Sequence, residues 1–189
     1  MAKLGVIIGS VREGRGGTAV ANWFVERAKA HGAFDVSVLD LKEIALPIMN
    51  EPHHPRLKQY VHESTKAWSA TVSAHDAFVF VTPEYNHSTP PAVINALATV
   101  ALEWNYKVAG IVSYGGPSGG IRAQQMLKIT LQALRMVVVM ESVPLPFYTQ
   151  LIDKETGVLK PNEMQEKGAV AMLEEMRKWT GPLESLRRS

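Results

Sequence analysis

Three short polar stretches carry the residues able to do chemistry in this chain. The first is Ser10-Val11-Arg12-Glu13-Gly14-Arg15-Gly16-Gly17-Thr18. It combines hydroxyls, guanidinium groups and glycines just ahead of a helical pattern. A helix amino terminus exposes unpaired N–H groups and a partial positive charge, and so attracts anions. Ser10 and Thr18 add hydroxyl donors, Arg12 and Arg15 add charge, and Gly16 and Gly17 let the backbone come close. Ala19 follows in the first turn. This set suits a terminal, doubly charged monophosphate. The second stretch, Pro83-Glu84-Tyr85-Asn86-His87-Ser88, presents backbone groups, an aromatic ring and an amide that both donates and accepts. The third, Ser113-Tyr114-Gly115-Gly116-Pro117, offers a glycine wall against which a flat ring can lie. A phosphate-bearing, flat, polar-edged ligand fits all three, and flavin mononucleotide (FMN) fits that description best.

Each stretch must sit at the tip of a strand to act with the others. Leu4–Gly9, Ala77–Val81 and Val108–Ser113 are short, nearly continuous apolar runs, as in strands buried on both faces. Phe34–Leu39 alternates and suits a position nearer an edge, and Met136–Met140 supplies a fifth strand. Helical patterns cover Thr18–Ala30, Leu57–Ser73, Pro91–Leu102, Gly120–Leu134 and Pro161–Leu186. Pro91 fits a first helical turn, where its missing N–H costs nothing. In the last helix, Met164, Val170, Leu173, Met176 and Trp179 are expected to mark the apolar face. Strand–helix alternation implies right-handed crossovers and an α/β fold. We expect a flavodoxin-like, doubly wound, five-stranded parallel sheet of order 2-1-3-4-5 with helices on both faces. That order sets the strands ahead of the three loops side by side, and ligands bind at such carboxyl edges.

The chain has 189 residues, of which 46% are hydrophobic and 20% charged, which suits one domain spanning 1–189. Twenty Lys and Arg against 18 Asp and Glu leave +2, too little to imply a nucleic-acid or membrane surface. There is no cysteine, which excludes a disulfide scaffold, a thiol nucleophile and a cysteine metal site. His53-His54 lies near Glu51, but adjacent histidines point apart and no HxH or HxxxH pair supports them, so no metal site is expected. The apolar start passes straight into a polar loop without a cleavage signal, and a cytoplasmic location is expected.

A rival pattern exists. Gly14-x-Gly16-x-x-Ala19 with Asp40 matches a dinucleotide-binding fingerprint. In that motif the first glycine sits at the strand tip, whereas Gly14 comes several residues after Gly9.

The chain resembles the NADPH-dependent FMN reductases of the flavodoxin-like superfamily, which include quinone, chromate and azo-dye reductases. The resemblance runs from Gly5 to about Phe147. It rests on Gly9-Ser10-Val11-Arg12, on Thr82 to Ser88, on Val112 to Gly116, and on Ser118-Gly119-Gly120-x-Arg122-Ala123. It implies that Ser10, Arg12 and Thr18, with Arg15, Gly17 and Ala19 nearby, hold the FMN phosphate. It also implies that Pro83, Glu84, Tyr85, Asn86, Ser113, Gly115 and Gly116 contact the ring and ribityl chain. The implied activity is hydride transfer from NADPH or NADH through FMN to a quinone, azo compound or free flavin, with no catalytic side chain. Members typically form homodimers or homotetramers. Pro91 stands where the family often has Gly, and Ala98 where it often has Asp. A non-catalytic flavin-binding electron carrier or redox-sensing partner protein is the other function class to weigh, although flavodoxin carriers are usually strongly acidic.

Overall fold

A computed structural model describes residues 1–188. Its strands are β1 (Ala2–Ile8), β2 (Phe34–Asp40), β3 (Ala77–Pro83), β4 (Val108–Tyr114) and β5 (Val137–Leu145). All pair in parallel, in the order β2-β1-β3-β4-β5. The helices are α1 (Gly17–His31), α2 (Leu41–Ile44), α3 (Glu63–Ser73), α4 (Pro91–Thr99), α5 (Ile121–Ala133) and α6 (Glu163–Arg188).

The sheet separates two apolar layers. Val20, Phe24 and Ala28 of α1 pack with Ala169, Leu173 and Met176 of α6 on one face. Trp68 and Val72 of α3, Leu97 of α4 and Leu127 and Leu131 of α5 cover the other. β3 and β4 are buried along their whole length, while β2 is only partly buried, as an edge strand is, with Phe34 and Leu39 reaching opposite apolar layers. Gly110 in β4 has a structural reason: a side chain there would run into the sulfurs of Met172 and Met176, holding α6 off the sheet.

Four elements differ from the pattern expected of the sequence. The helix expected over Leu57–Ser73 begins only at Glu63, after a single 3-10 turn at Pro55–Leu57. Lys58 turns into the left-handed region, and the Glu51 carboxylate accepts from the N–H groups of Val61 and His62. Helix α4 stops at Thr99, because Val100 is extended, and Leu102–Trp104 forms a separate 3-10 turn. Strand β5 runs on to Leu145, past Glu141 and Pro144, through a bulge opposite Ala109 to Ile111. An edge strand tolerates both a bulge and a proline. In α6, Leu173 and Met176 face the sheet as expected, but Met164, Val170 and Trp179 are exposed. The buried stripe is Gln165, Ala169, Met172, Leu173, Met176 and Leu183. A capping box sets the start of this helix: Gln165 donates its N–H to Asn162 Oδ1, and Asn162 donates its N–H to Gln165 Oε1.

The connection from β2 to α3 is fastened from inside. Glu103 has a side chain 0% exposed and accepts from Tyr60, from Ser69 at 2.7 Å and from the Ala101 N–H. Lys58 lies 3.5 Å from it. Burial, and then the Glu103 charge, raise the Tyr60 phenol well above its usual pKa, so it remains a donor. Replacing Glu103 by Ala leaves these donors without their acceptor. We expect a loss of about 3 kcal/mol in denaturant unfolding; a loss below about 1 kcal/mol would show that the cluster does not anchor this segment.

Candidate functional site

The carboxyl tips of β1, β3 and β4 open onto a cavity of about 380 Å³. Eight of the residues singled out from the sequence line it: Ser10, Arg12, Arg15, Pro83, Glu84, Tyr85, Gly115 and Gly116. Tyr114, Phe147, Tyr148 and Thr149 complete the wall along with Gly14 and Gly16.

The loop after β1 leaves its donors free. Among the described residues, and apart from the turn at Glu13–Gly14, no protein acceptor takes the backbone N–H groups from Ser10 to Ala19 with good geometry. Gly16 is the N-cap of α1 and no side chain caps the helix. Thr18 is therefore not the capping residue; it stands exposed in the first turn. A run of unpaired N–H groups ending at a helix amino terminus is an arrangement that attracts anions through geometry and dipole together.

Arg15 has a different position from the one expected of a free phosphate ligand. One Nη donates to Asp40 Oδ1 at 2.7 Å and also to the Ser10 carbonyl, and the other pairs with Asp40 Oδ2. Asp40 also accepts from the Lys42 N–H. The guanidinium thus braces the loop against the end of β2. The same contacts occupy Asp40, which removes the ribose-binding role that the dinucleotide pattern required of it. Arg12 keeps its charge available. It is exposed and lies 5.9 Å from the centre of the Tyr85 ring, within cation–π range.

Gly16 and Gly17 are needed for a reason other than ligand approach alone. A side chain on Gly16 would overlap the Tyr148 ring, and one on Gly17 would overlap the Tyr114 hydroxyl. The two tyrosine rings meet edge to face at 4.8 Å. Tyr85, expected against the flat ring, donates to or accepts from the Ser10 hydroxyl at 2.7 Å, so its phenol reaches the phosphate loop. Tyr114 is buried, and its hydroxyl makes no well-formed hydrogen bond, although Ser10 lies close enough to act on it. Burial raises its pKa first, followed by the neighbouring Tyr85 and Tyr148; Ser10 and Arg15 oppose the rise but do not overcome it.

Five of the expected site residues lie outside the cavity lining. Gly17 is buried behind Tyr114, and Thr18 is exposed beyond the loop. Ala19 lines a separate groove with Asn22 and Trp23, leaving its N–H as its only contribution to the loop. Asn86 is exposed. With His87 it forms the centre of a tight turn, both at positive φ, closed by paired Tyr85 and Ser88 backbone bonds. Ser113 is buried and donates to the Gly119 carbonyl at 2.9 Å, which ties down the 115–120 loop instead of facing a ligand. In that loop Gly120 has φ 82°, and a side chain there would collide with the Tyr114 backbone.

Glu84 lines the cavity, but its carboxylate is engaged. It accepts from Arg122 Nε at 2.7 Å, from the Arg122 N–H at 3.1 Å and from the Ser118 hydroxyl at 3.1 Å. Burial alone would raise its pKa; the bonds and charge of Arg122 and the bond from Ser118 outweigh that and lower it. His54, one of the two adjacent histidines, accepts from the Arg56 N–H and caps a 3-10 turn.

A flat-walled cleft with an anion seat at the tips of a 2-1-3-4-5 sheet defines the class: a flavodoxin-like α/β protein. FerB of Paracoccus denitrificans, a flavoenzyme NAD(P)H:(acceptor) oxidoreductase, shares this fold at a TM-score of 0.75 and 22% identity, covering 96% of this chain and 98% of its own. A family model described as NADPH-dependent FMN reductase matches residues 2–150. An NAD(P)H-dependent FMN reductase of Schizosaccharomyces pombe is 39% identical over 147 residues, which span 76% of this chain and 74% of that one. LOT6 of Saccharomyces cerevisiae, also an NAD(P)H-dependent FMN reductase, is 35% identical over 149 residues, 72% and 77% of the two chains. The chain belongs to the NADPH-dependent FMN reductase family, and is an oxidoreductase; FMN and NAD(P)H are the cofactors of that family. The donor set described above fits the first of them. No helix among the described residues is long and apolar enough to cross a membrane.

The Arg15–Asp40 brace can be tested without a ligand. Its side chains are 11% and 18% exposed, so screening by water is limited. Asp40→Ala is expected to lower stability by about 2 kcal/mol in denaturant unfolding, because it strands a mostly buried guanidinium. A change within about 0.5 kcal/mol would mean that the pair does not organise the loop.

Proposed function

We propose that the protein transfers reducing equivalents from NAD(P)H through FMN to a small acceptor such as a quinone, an azo compound or free flavin. The observation that carries this is the meeting of an unpaired N–H run, from Ser10 to Ala19, with a flat-walled cleft at neighbouring strand tips. When bound, FMN supplies the hydride relay, which the side chains of the chain do not themselves provide.

The chain's own residues bind, orient and shield. The loop N–H groups, the Ser10 hydroxyl and Arg12 take the phosphate. Gly115 and Gly116 give a backbone wall, stiffened by the Gly115 N–H bond to Leu145 and the Phe147 N–H bond to Gly116. Pro83 to Tyr85 give the facing wall. Glu84 is a poor proton donor, because Arg122 and Ser118 hold it ionised. This favours a site that works by placement and without a side-chain acid or base. Exposed Ile94 on α4 and Ile121, Met126 and Ile129 on α5 lie on helices covering the same sheet face, which supports a homodimer or homotetramer.

The purified protein, supplied with FMN, should show flavin absorbance that bleaches when NADPH is added without oxygen. A quinone, an azo dye or free flavin should then restore it. Bound FMN that resists reduction would instead indicate an electron carrier. Arg12→Ala should weaken FMN binding by about tenfold, as expected for losing one charge-assisted contact to phosphate; unchanged affinity would remove Arg12 from the seat.

A further inference from the structure

We propose that the Tyr114 hydroxyl is a phosphate ligand, and that with Ser10 and Tyr85 it forms a hydroxyl cluster that distinguishes FMN from riboflavin. This rests on the FMN-binding reading above and extends it to a residue placed so far only in the wall.

The geometry is specific. Tyr114 is 2% exposed, lines the cavity, and has a hydroxyl that makes no well-formed hydrogen bond, the neighbouring Ser10 hydroxyl being engaged with Tyr85. That hydroxyl lies where a Gly17 side chain would begin, 2.3 Å from the ideal Cβ position, and so sits against the first turn of α1. The unpaired N–H run ends in that same turn. Ser10 and Tyr85, whose hydroxyls are joined at 2.7 Å, border the same cavity. An unpaired buried hydroxyl destabilises the fold. Such a group is retained where a ligand completes it, and here the loop N–H groups donate while the Ser10 and Tyr85 hydroxyls, already paired with each other, have a donor left to turn toward an anion. A dianion is the ligand that satisfies donors on every side. The phenol is suited to the task, since burial keeps it protonated well above its ordinary pKa. It therefore donates, and carries no negative charge to repel phosphate.

The glycine at position 17 follows from the same contact. An alanine there would displace the hydroxyl, so the glycine is explained by the tyrosine as well as by the approach of a ligand.

Tyr114→Phe tests this, with three measurements. Fluorescence titration with FMN should show affinity reduced about tenfold or more, the effect of one lost hydrogen bond to a charged group. Titration with riboflavin, which lacks the phosphate, should be unchanged between variant and wild type. The melting temperature of the ligand-free variant should be equal to or above that of the wild type, because an unsatisfied group has been removed. Equal weakening of both flavins would place Tyr114 against the ring and overturn the proposal. Unchanged FMN affinity would overturn it too, as would a ligand-free variant several degrees less stable, since the hydroxyl would then serve the fold. Should Tyr114→Phe fail to fold, Gly17→Ala must give the same FMN-selective loss, and a loss shared with riboflavin counts against it. Wild-type protein that binds neither flavin refutes the underlying reading instead.

Discussion

Every feature of the cleft depends on the loop after β1 keeping its N–H groups turned away from the protein's own acceptors. Such a loop, exposed from Val11 to Gly14, would ordinarily close on itself in hydrogen-bonded turns. Here Arg15 prevents that. Its planar fork spans the Asp40 carboxylate and the Ser10 carbonyl, so the loop is held by a side chain, and its amides are left for something else. Tyr114 and Tyr148 close the loop from behind by filling the space over Gly17 and Gly16. The chain thus ties down the Ser10 and Gly16 carbonyls and leaves the loop's donor side open, an asymmetry that suits an anion.

The sheet supplies the frame for this asymmetry. β1, β3 and β4 are so thoroughly buried that polar groups are expelled to their ends, and parallel pairing puts those ends on one edge. The bond from the Gly9 N–H to the Val81 carbonyl carries the pairing of β1 with β3 to the base of the loop after β1. The Glu84–Arg122 contact then links the tip of β3 to the start of α5. The three loops are consequently cross-braced, and the cleft is built in before a ligand arrives.

Sheet order and the location of the cleft were legible because they follow from apolar runs and from polar loops at their ends. What was not legible depended on contacts distant in sequence. Arg15 reads as a phosphate ligand until Asp40, 25 residues on, takes its guanidinium. Ser113 reads as a ring contact until Gly119 turns back over it at positive φ. Tyr114 ends a buried strand and gave no signal of its own, because nothing local reveals that its hydroxyl reaches Gly17. Phe147 and Tyr148 enter the site from the far end of β5, whose length was hidden by Glu141 and Pro144. The helix expected from Leu57 failed because a carboxylate, Glu51, caps the chain a few residues later than the apolar spacing suggested.

The central claim is that an anion completes the free N–H groups from Ser10 to Ala19. The most direct measurement is titration of FMN into nitrogen-15-labelled protein while the backbone amide resonances are followed. The amides of the loop and the first turn of α1 should show the largest shifts, with slowed exchange with water. Saturation with FMN that moves resonances elsewhere and leaves those of residues 10 to 19 in place would contradict it.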